Sequence, residues 1–230
     1  PHDHTGHDHP PTGADLVRDL VKGLSIQALL IPLLGVVLLV AILPFAPLSP
    51  LPLLLGFALG GAQLVSLVAT SLFVARTRKQ LAVNPGLLAV RSVVDEVLRV
   101  AAVLVAVLLW PADISSELGV WVGAGCALVW LFLATAQTIT TRQRIARPGD
   151  WSKEAISTLL SQRVGARSTV IMRLLDVAGT VMFQVGATTL VIFSPVLVIG
   201  TAVLSIGTGL STLVLQRRAP AERSRSPWAY

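Results

Sequence analysis

The fold is decided by the stretch "IPLLGVVLLVAILPFAPLSPLPLLLGFALGGAQLVSLVATSLF", residues 31–73. Two apolar runs, at about 25–47 and 51–75, lie on either side of "PFAPLSPLP", which contains four prolines. Each run is long enough to cross about 30 Å of hydrocarbon as a helix. Proline suits a tight turn and is disfavoured inside a helix. The stretch therefore predicts a hairpin of two membrane-spanning helices.

The same pattern recurs twice further along the chain. Apolar runs lie at about 93–111, 118–141, 171–194 and 196–216, and only "FSP" separates the last two. We therefore predict an all-α, polytopic membrane bundle over residues 25–216, with six transmembrane helices, TM1 to TM6, arranged as three hairpins. The break between TM5 and TM6 depends on Pro195 alone.

The composition supports a membrane protein. Apolar residues make up 53% of the 230 residues and charged residues only 13%, whereas a soluble domain carries about 25% charge. A chain this apolar has more hydrophobic surface than a soluble core of its size can hide. Its bias toward arginine over lysine, with abundant alanine, valine and glycine, is typical of a GC-rich bacterial genome.

The net charge of +6 would suggest nucleic acid as the partner of a soluble protein. Here the basic residues lie beside apolar runs, where they are explained by membrane topology and by anionic lipid head groups. We therefore expect the lipid bilayer as a partner and no nucleic acid.

The basic residues lie on one side of the predicted bundle. The connections on the opposite side contain only Asp113 and Glu117 as charged residues. By the positive-inside rule, both termini and the loops at 76–90 and 142–168 are expected in the cytoplasm, in a cell inner membrane. The residues concerned are Arg18, Lys22, Arg76, Arg78, Lys79, Arg142, Arg144, Arg147, Arg217, Arg218, Arg223 and Arg225.

The segments outside the spans are expected to be polar or interfacial. Residues 1–11 contain "HDHTGHDH" and predict a disordered tail, which either captures a transition metal or has only incidental affinity for one. Residues 12–24 predict an amphipathic helix on the membrane surface, and "DWSKEAISTLLSQRVGAR" repeats this pattern. Residues 217–230 predict a basic cytoplasmic tail.

TM3 carries charges that need partners at membrane depth. Arg91, Asp95 and Arg99 are spaced i, i+4 and i+8, which predicts an alternating ladder on one helix face, with Glu96 about 100° away. These four charges sum to zero. TM5 repeats the theme, because Arg173 and Asp176 begin a polar stripe about 18 Å long. Its further members are Thr180, Gln184 and Thr188.

Two interpretations of these polar residues remain open. In the first, polar stripes on TM2, TM5 and TM6 line a path for a solute, and the cluster of charges on TM3 and TM5 forms its cytoplasmic gate or ion site. In the second, the hydroxyl and amide side chains join helices, Gly-x-x-x-Gly segments allow close packing, and the charges form a neutral structural network. The stripes of TM2 and TM6 are Gln63, Ser66, Thr70, Thr201, Ser205, Thr208 and Thr212.

No enzyme signature is present in the sequence. All four histidines precede residue 10, and neither a Walker motif nor paired metal-binding aspartates occur. The only cysteine, Cys126, lies in an apolar run and is interpreted as a small packing residue. We therefore expect no enzyme activity, no cofactor and no metal site in the spans.

Two functional hypotheses follow from the sequence. The first is a transporter or permease component that moves a small polar solute or ion. The alternative is a non-catalytic accessory, assembly or scaffold subunit of a larger membrane complex. In either case we expect a homo-oligomer or a subunit of a membrane complex. A transporter should contain a water-accessible cavity that reaches Asp176 or Gln184, whereas a scaffold should be a dry bundle with an apolar face for its partner.

Overall fold

A computed structural model of the protein describes residues 13–77, 85–110, 116–146 and 166–217. Within these residues the chain is all-helical and contains no strand, as the sequence predicts. A short 3-10 turn, Pro195–Leu197, precedes the last helix. The α-helices within the described residues are α1 (Gly13–Ile42), α2 (Pro50–Thr77), α3 (Pro85–Leu109), α4 (Ser116–Ala146), α5 (Ala166–Phe193) and α6 (Val198–Arg217).

Four of these helices are long and apolar enough to cross a membrane. The segments concerned are Val17–Ile42, Pro50–Phe73, Glu117–Ala146 and Val170–Phe193. They indicate a membrane-embedded protein. Helix α3, with 25 residues, is long enough for a span but carries four charged side chains between Arg91 and Arg99, and the apolar part of α6 is shorter. Six spans in three hairpins therefore remain a prediction.

The predicted breaks between helices occur where proline disfavours a helix. Helix α1 ends at Ile42, and α2 begins at Pro50. Helix α5 ends at Phe193, and Ser194 has extended backbone (φ −152°, ψ 111°) before Pro195 begins the 3-10 turn. The break after TM5, for which Pro195 is the only local signal, is therefore confirmed.

The segment predicted as an interfacial helix, residues 12–24, is continuous with the first span. Helix α1 begins at Gly13 and runs without a break to Ile42. Arg18 and Asp19 are exposed in its first turns. Gly23 does not interrupt the helix, since a single glycine costs only about 1 kcal/mol relative to alanine. The histidine-rich tail, most of the second amphipathic segment and the basic tail lie outside the described residues.

Helix α4 is the centre of the bundle and packs against α1, α2 and α5. Its contact with α2 brings the two backbones together at Gly56 and Gly125. A Cβ on Gly56 would lie 2.1 Å from the carbonyl oxygen of Val122, and a Cβ on Gly125 would lie 2.2 Å from that of Leu53. Only glycine fits at these two positions, because the atoms in the way belong to the backbone.

The opposite face of α4 packs in the same way against α5. A Cβ on Gly119 would lie 2.7 Å from the Cα of Thr189, and one on Gly123 would lie 2.7 Å from the Cα of Val185. The Gly-x-x-x-Gly segment of α4 is therefore a close-packing surface. Helix α3 packs beside this group, against α2, α5 and α6.

Candidate functional site

A buried arginine, Arg99 of α3, lies where α3 packs against α5. Its side chain is 1% exposed. One terminal nitrogen donates to Glu96 Oε1, one turn earlier on the same helix, and the other donates to Gln184 Oε1 of α5 at 2.7 Å. The guanidinium carbon also lies 5.2 Å from the ring centroid of Phe183, a favourable cation–π distance. Arg99 is thus held by a carboxylate, an amide and an aromatic face.

Glu96 connects the same site to α6. Its second oxygen, Oε2, accepts a hydrogen bond from Thr201 Oγ1 at 2.8 Å, and both side chains are buried. The Glu96 carboxylate therefore has a partner on each oxygen, which a buried charge requires. The Glu96–Arg99 ion pair therefore bonds α3 to two helices: Glu96 bonds α6, and Arg99 bonds α5.

Gln63 of α2 extends the network across the bundle. Its Oε1 accepts from Trp130 Nε1 at 2.9 Å and from Gln184 Nε2 at 3.4 Å, and the Cys126 thiol lies 3.3 Å away. The Gln63 amide nitrogen is 3.4 Å from the backbone oxygen of Asp95. The buried network therefore joins five helices. Its members are Gln63 on α2, Glu96 and Arg99 on α3, Cys126 and Trp130 on α4, Gln184 on α5 and Thr201 on α6.

The predicted ladder on α3 forms only in part. Arg91 Nε lies 3.9 Å from Asp95 Oδ2, beyond hydrogen-bond distance. Arg99 bonds Glu96 and not Asp95. Both carboxylates are within reach on a helix, and Glu96 is selected because Thr201 and Gln184 complete that site. Arg91 Nε and Asp95 Oδ1 are left without hydrogen-bond partners among the described residues.

Arg173 and Asp176 form a second, outer ion pair on α5. Arg173 donates to Asp176 Oδ2 at 3.0 Å and to Gln137 Oε1 of α4 at 3.3 Å. The two side chains are 34% and 63% exposed, so this pair contributes little to stability. The charges of α3 and α5, predicted as one cluster, are therefore divided between a buried centre at Arg99 and an exposed rim at Arg173.

A cleft of about 340 Å³ leads from this rim into the bundle. It passes Asp176 and Thr180 and ends at Gln184, eight residues or roughly 12 Å further along α5. Gln184 is thus both the floor of the cleft and the partner of Arg99. The other polar residues that line the cleft are Arg91 of α3, Trp130 and Gln137 of α4, and Arg173 of α5.

Among the described residues, part of the polar stripe predicted on TM5 lines the cleft, whereas the stripe predicted on TM6 does not. Thr188, the last member on α5, is fully buried beyond Gln184, and its hydroxyl has no hydrogen-bond partner among the described residues. Helix α6 was predicted as a wall of the path. Among the described residues, the cleft is lined by α3, α4 and α5 with Leu67 of α2, whereas α6 contributes Thr201 to the buried network.

Sequence reasoning missed two members of the network. Trp130 lies in the middle of an apolar run, and its indole N–H is the signal that could have indicated a buried acceptor nearby. Cys126, interpreted as a packing residue, is fully buried as expected, but its thiol also contacts Gln63. Within the described residues, no group of three or more histidine, cysteine, aspartate or glutamate side chains could hold a metal ion.

In comparisons with protein families, curated proteins and solved structures, no match to this chain was found. The cleft and the buried network are therefore the basis on which a function is assigned.

Proposed function

We propose that this protein is a non-enzymatic membrane transporter or permease component that moves a small polar solute or ion. The observation that carries the proposal is the cleft that runs from Asp176 to Gln184. Spans that only pack against one another are expected to fill the space between them, since an empty opening of this depth forfeits packing contacts. A volume of about 340 Å³ is within the usual range for small-molecule sites.

The proposed topology has six spans in three hairpins, with both termini and the loops at 76–90 and 142–168 in the bacterial cytoplasm. Helix α3 fits this arrangement although it is charged, because Glu96 and Arg99 are buried and bonded to α5 and α6. Arg91 and Arg173 lie at the ends of their helices that adjoin these basic loops. In this topology the cleft opens toward the cytoplasm, where the basic residues also attract anionic lipids.

The far side of the cleft is closed in this conformation. Beyond Gln184 and Arg99, an apolar cluster fills the bundle between α3, α4 and α5, and it contains Val103, Ala106, Leu118, Val191 and Ile192. A solute that reaches Gln184 therefore meets a polar floor backed by a dry layer. Transport in this proposal requires α3 and α6 to shift relative to the glycine-packed group of α1, α2, α4 and α5, which is typical of alternating access.

Accessibility of the cleft is tested by cysteine labelling. Thr180→Cys should react with a membrane-impermeant thiol reagent applied from the cytoplasmic side only. The wild-type protein is one control, because Cys126 is fully buried. Leu190→Cys, on the exposed apolar side of α5, is the matched control and should not react from either side. A Thr180→Cys protein that stays unlabelled would contradict a water-accessible cleft. Labelling from the periplasmic side would show that the orientation of the protein in the membrane is the reverse of the one proposed.

An accessory or scaffold subunit is the second candidate, and one observation favours it. The outer face of α6 carries Gly200 and Gly207, and neither would meet a heavy atom within 4 Å if it had a Cβ. Small residues on a span allow another helix to approach closely, so this face suits a second copy or another membrane subunit. Native purification with mass spectrometry separates the cases, because a stoichiometric larger complex supports a scaffold and a lone homo-oligomer supports a transporter.

A further inference from the structure

We infer that the cleft binds a small zwitterionic solute, one that carries a carboxylate and an ammonium group, such as a neutral α-amino acid. This inference rests on the proposed function and names the class of solute. It depends on the balance of charges around the cleft and on the buried donor, Arg91 Nε, that is left unpaired there among the described residues.

The charged side chains at the cleft balance one another. Arg91 and Arg173 line it together with Asp176, and Asp95 borders Arg91 at 3.9 Å. The charges of the two guanidinium groups are thus balanced by two carboxylates, of which Asp176 lines the cleft and Asp95 lies beside Arg91 without lining it. In a site partly removed from water, a ligand with a net charge would leave one charge uncompensated, which is costly. A ligand with both charges and no net charge keeps the site neutral.

One buried donor at the cleft has no partner in the part of the chain that the structure describes. Among the described residues, the buried side-chain atoms without a hydrogen-bond partner are Arg91 Nε, Asp95 Oδ1, Arg99 Nε and Thr188 Oγ1. Of these, Arg91 Nε belongs to a residue that lines the cleft. A buried donor or acceptor without a partner is unfavourable by about 1–3 kcal/mol. A solute carboxylate supplies the acceptor that Arg91 Nε lacks, and the ammonium group of the same solute can pair with the Asp176 carboxylate.

The charged residues that line the cleft offer a partner for each end of the solute. Arg91 offers a planar fork of donors suited to a carboxylate, while Asp176, 63% exposed, offers a carboxylate to an ammonium group at the mouth. Between them the wall is formed by Trp130, Leu131 and Val177, which suits an apolar or small side chain. Gln184 at the floor offers amide groups to a polar one.

The test uses the purified full-length protein in lipid nanodiscs and three matched pools of probes. The first contains alanine, serine and leucine. The second contains the same molecules without the amino group, as carboxylic acids, and the third contains them without the carboxylate, as primary amines. Thermal unfolding is measured with each pool at equal concentration. We expect the amino-acid pool alone to raise the unfolding midpoint, because only it satisfies both charges.

Variants test whether this binding occurs in the cleft. Arg91→Gln and Asp176→Asn should each weaken amino-acid binding about tenfold or more, since each removes a charge-assisted contact. Arg142→Gln, which removes an exposed arginine of α4 that does not line the cleft, should leave it unchanged. Equal protection by the acids or by the amines would overturn the inference, as would protection by none of the three pools.

Uptake into proteoliposomes, measured with the same pools, separates this inference from the proposed function. Amino-acid binding without uptake would support a zwitterion-binding site in the cleft and contradict the proposal that the protein is a transporter. Uptake restricted to the acids or to the amines would support transport and overturn the inference that the solute is zwitterionic.

Discussion

Arg99 Nη2 donates a hydrogen bond to Gln184 Oε1 at 2.7 Å, across 85 residues of chain. The same amide forms the floor of the cleft. The residue that orients the buried cation is therefore also the residue that a solute in the cleft would meet. In the proposed function, this contact would link the stability of the bundle to the occupancy of the cleft.

Replacing Gln184 should destabilise the protein. Gln184→Ala leaves one terminal nitrogen of Arg99 buried without a partner, and we expect a loss of about 1–3 kcal/mol in the free energy of unfolding. The measurement is reversible unfolding in mixed micelles. Gln137→Ala, which removes an exposed amide at the rim, is the matched control and should change stability by less than about 0.5 kcal/mol. Equal effects for the two would show that the Arg99–Gln184 bond contributes nothing.

The buried ion pair should tolerate removal as a pair better than removal of one member. Arg99→Met leaves the Glu96 carboxylate buried with Thr201 as its one remaining partner in the part of the chain that the structure describes, and we expect a cost of about 3–5 kcal/mol. The double variant Glu96→Leu with Arg99→Met removes both charges and should recover a large part of that stability. A double-mutant cycle on unfolding free energies gives the coupling, and additive losses would contradict it.

The glycine contact between α2 and α4 provides a sharp test of the packing. Gly56→Ala places a methyl group 2.1 Å from a backbone oxygen, so the two helices must separate. We expect loss of about 1–3 kcal/mol or more, seen as lower membrane abundance and a lower unfolding midpoint.

Gly61→Ala is the matched control on the same helix. Its Cβ meets no atom within 4 Å, and it should be neutral or stabilise the protein by up to about 1 kcal/mol. A Gly56→Ala protein as stable as Gly61→Ala would contradict the close approach of the two backbones.

Asp176→Asn should separate folding from function. The carboxylate is 63% exposed, and its one ion-pair partner within the described ranges is Arg173, so the free energy of unfolding should change by less than about 1 kcal/mol. Solute uptake should fall strongly while the amount of protein in the membrane persists. Immunoblotting of membranes and uptake assays measure the two quantities. Loss of the protein itself would show that Asp176 is structural.

The helices could be predicted because their signals are local. Apolar runs and proline define the ends of α1, α2, α5 and α6, and even the break at Pro195 needs no distant contact. The spacing of Asp176, Thr180 and Gln184 likewise places them on one face of α5, which borders the cleft.

The partners of the charges could not be predicted in the same way. Helical spacing allows Arg99 to pair with Asp95 or with Glu96, and the choice depends on Gln184 and Thr201, which are distant in sequence. The spacing of polar residues on α6 defines a face but not what that face meets. For this reason Thr201 was expected beside the path and lies instead against Glu96.

The separation in sequence between Arg99 and its partners bears on how the protein is made. Gln184 follows Arg99 by 85 residues, and Thr201 follows Glu96 by 105. When α3 leaves the ribosome, the Glu96–Arg99 ion pair is already present on it, but the side chains of α5 and α6 that complete its hydrogen bonds do not yet exist. In the proposed topology we therefore expect α3 to remain at the translocon or the lipid surface until the last hairpin is synthesised. A chain truncated after α4 should be recognised by membrane quality-control proteases.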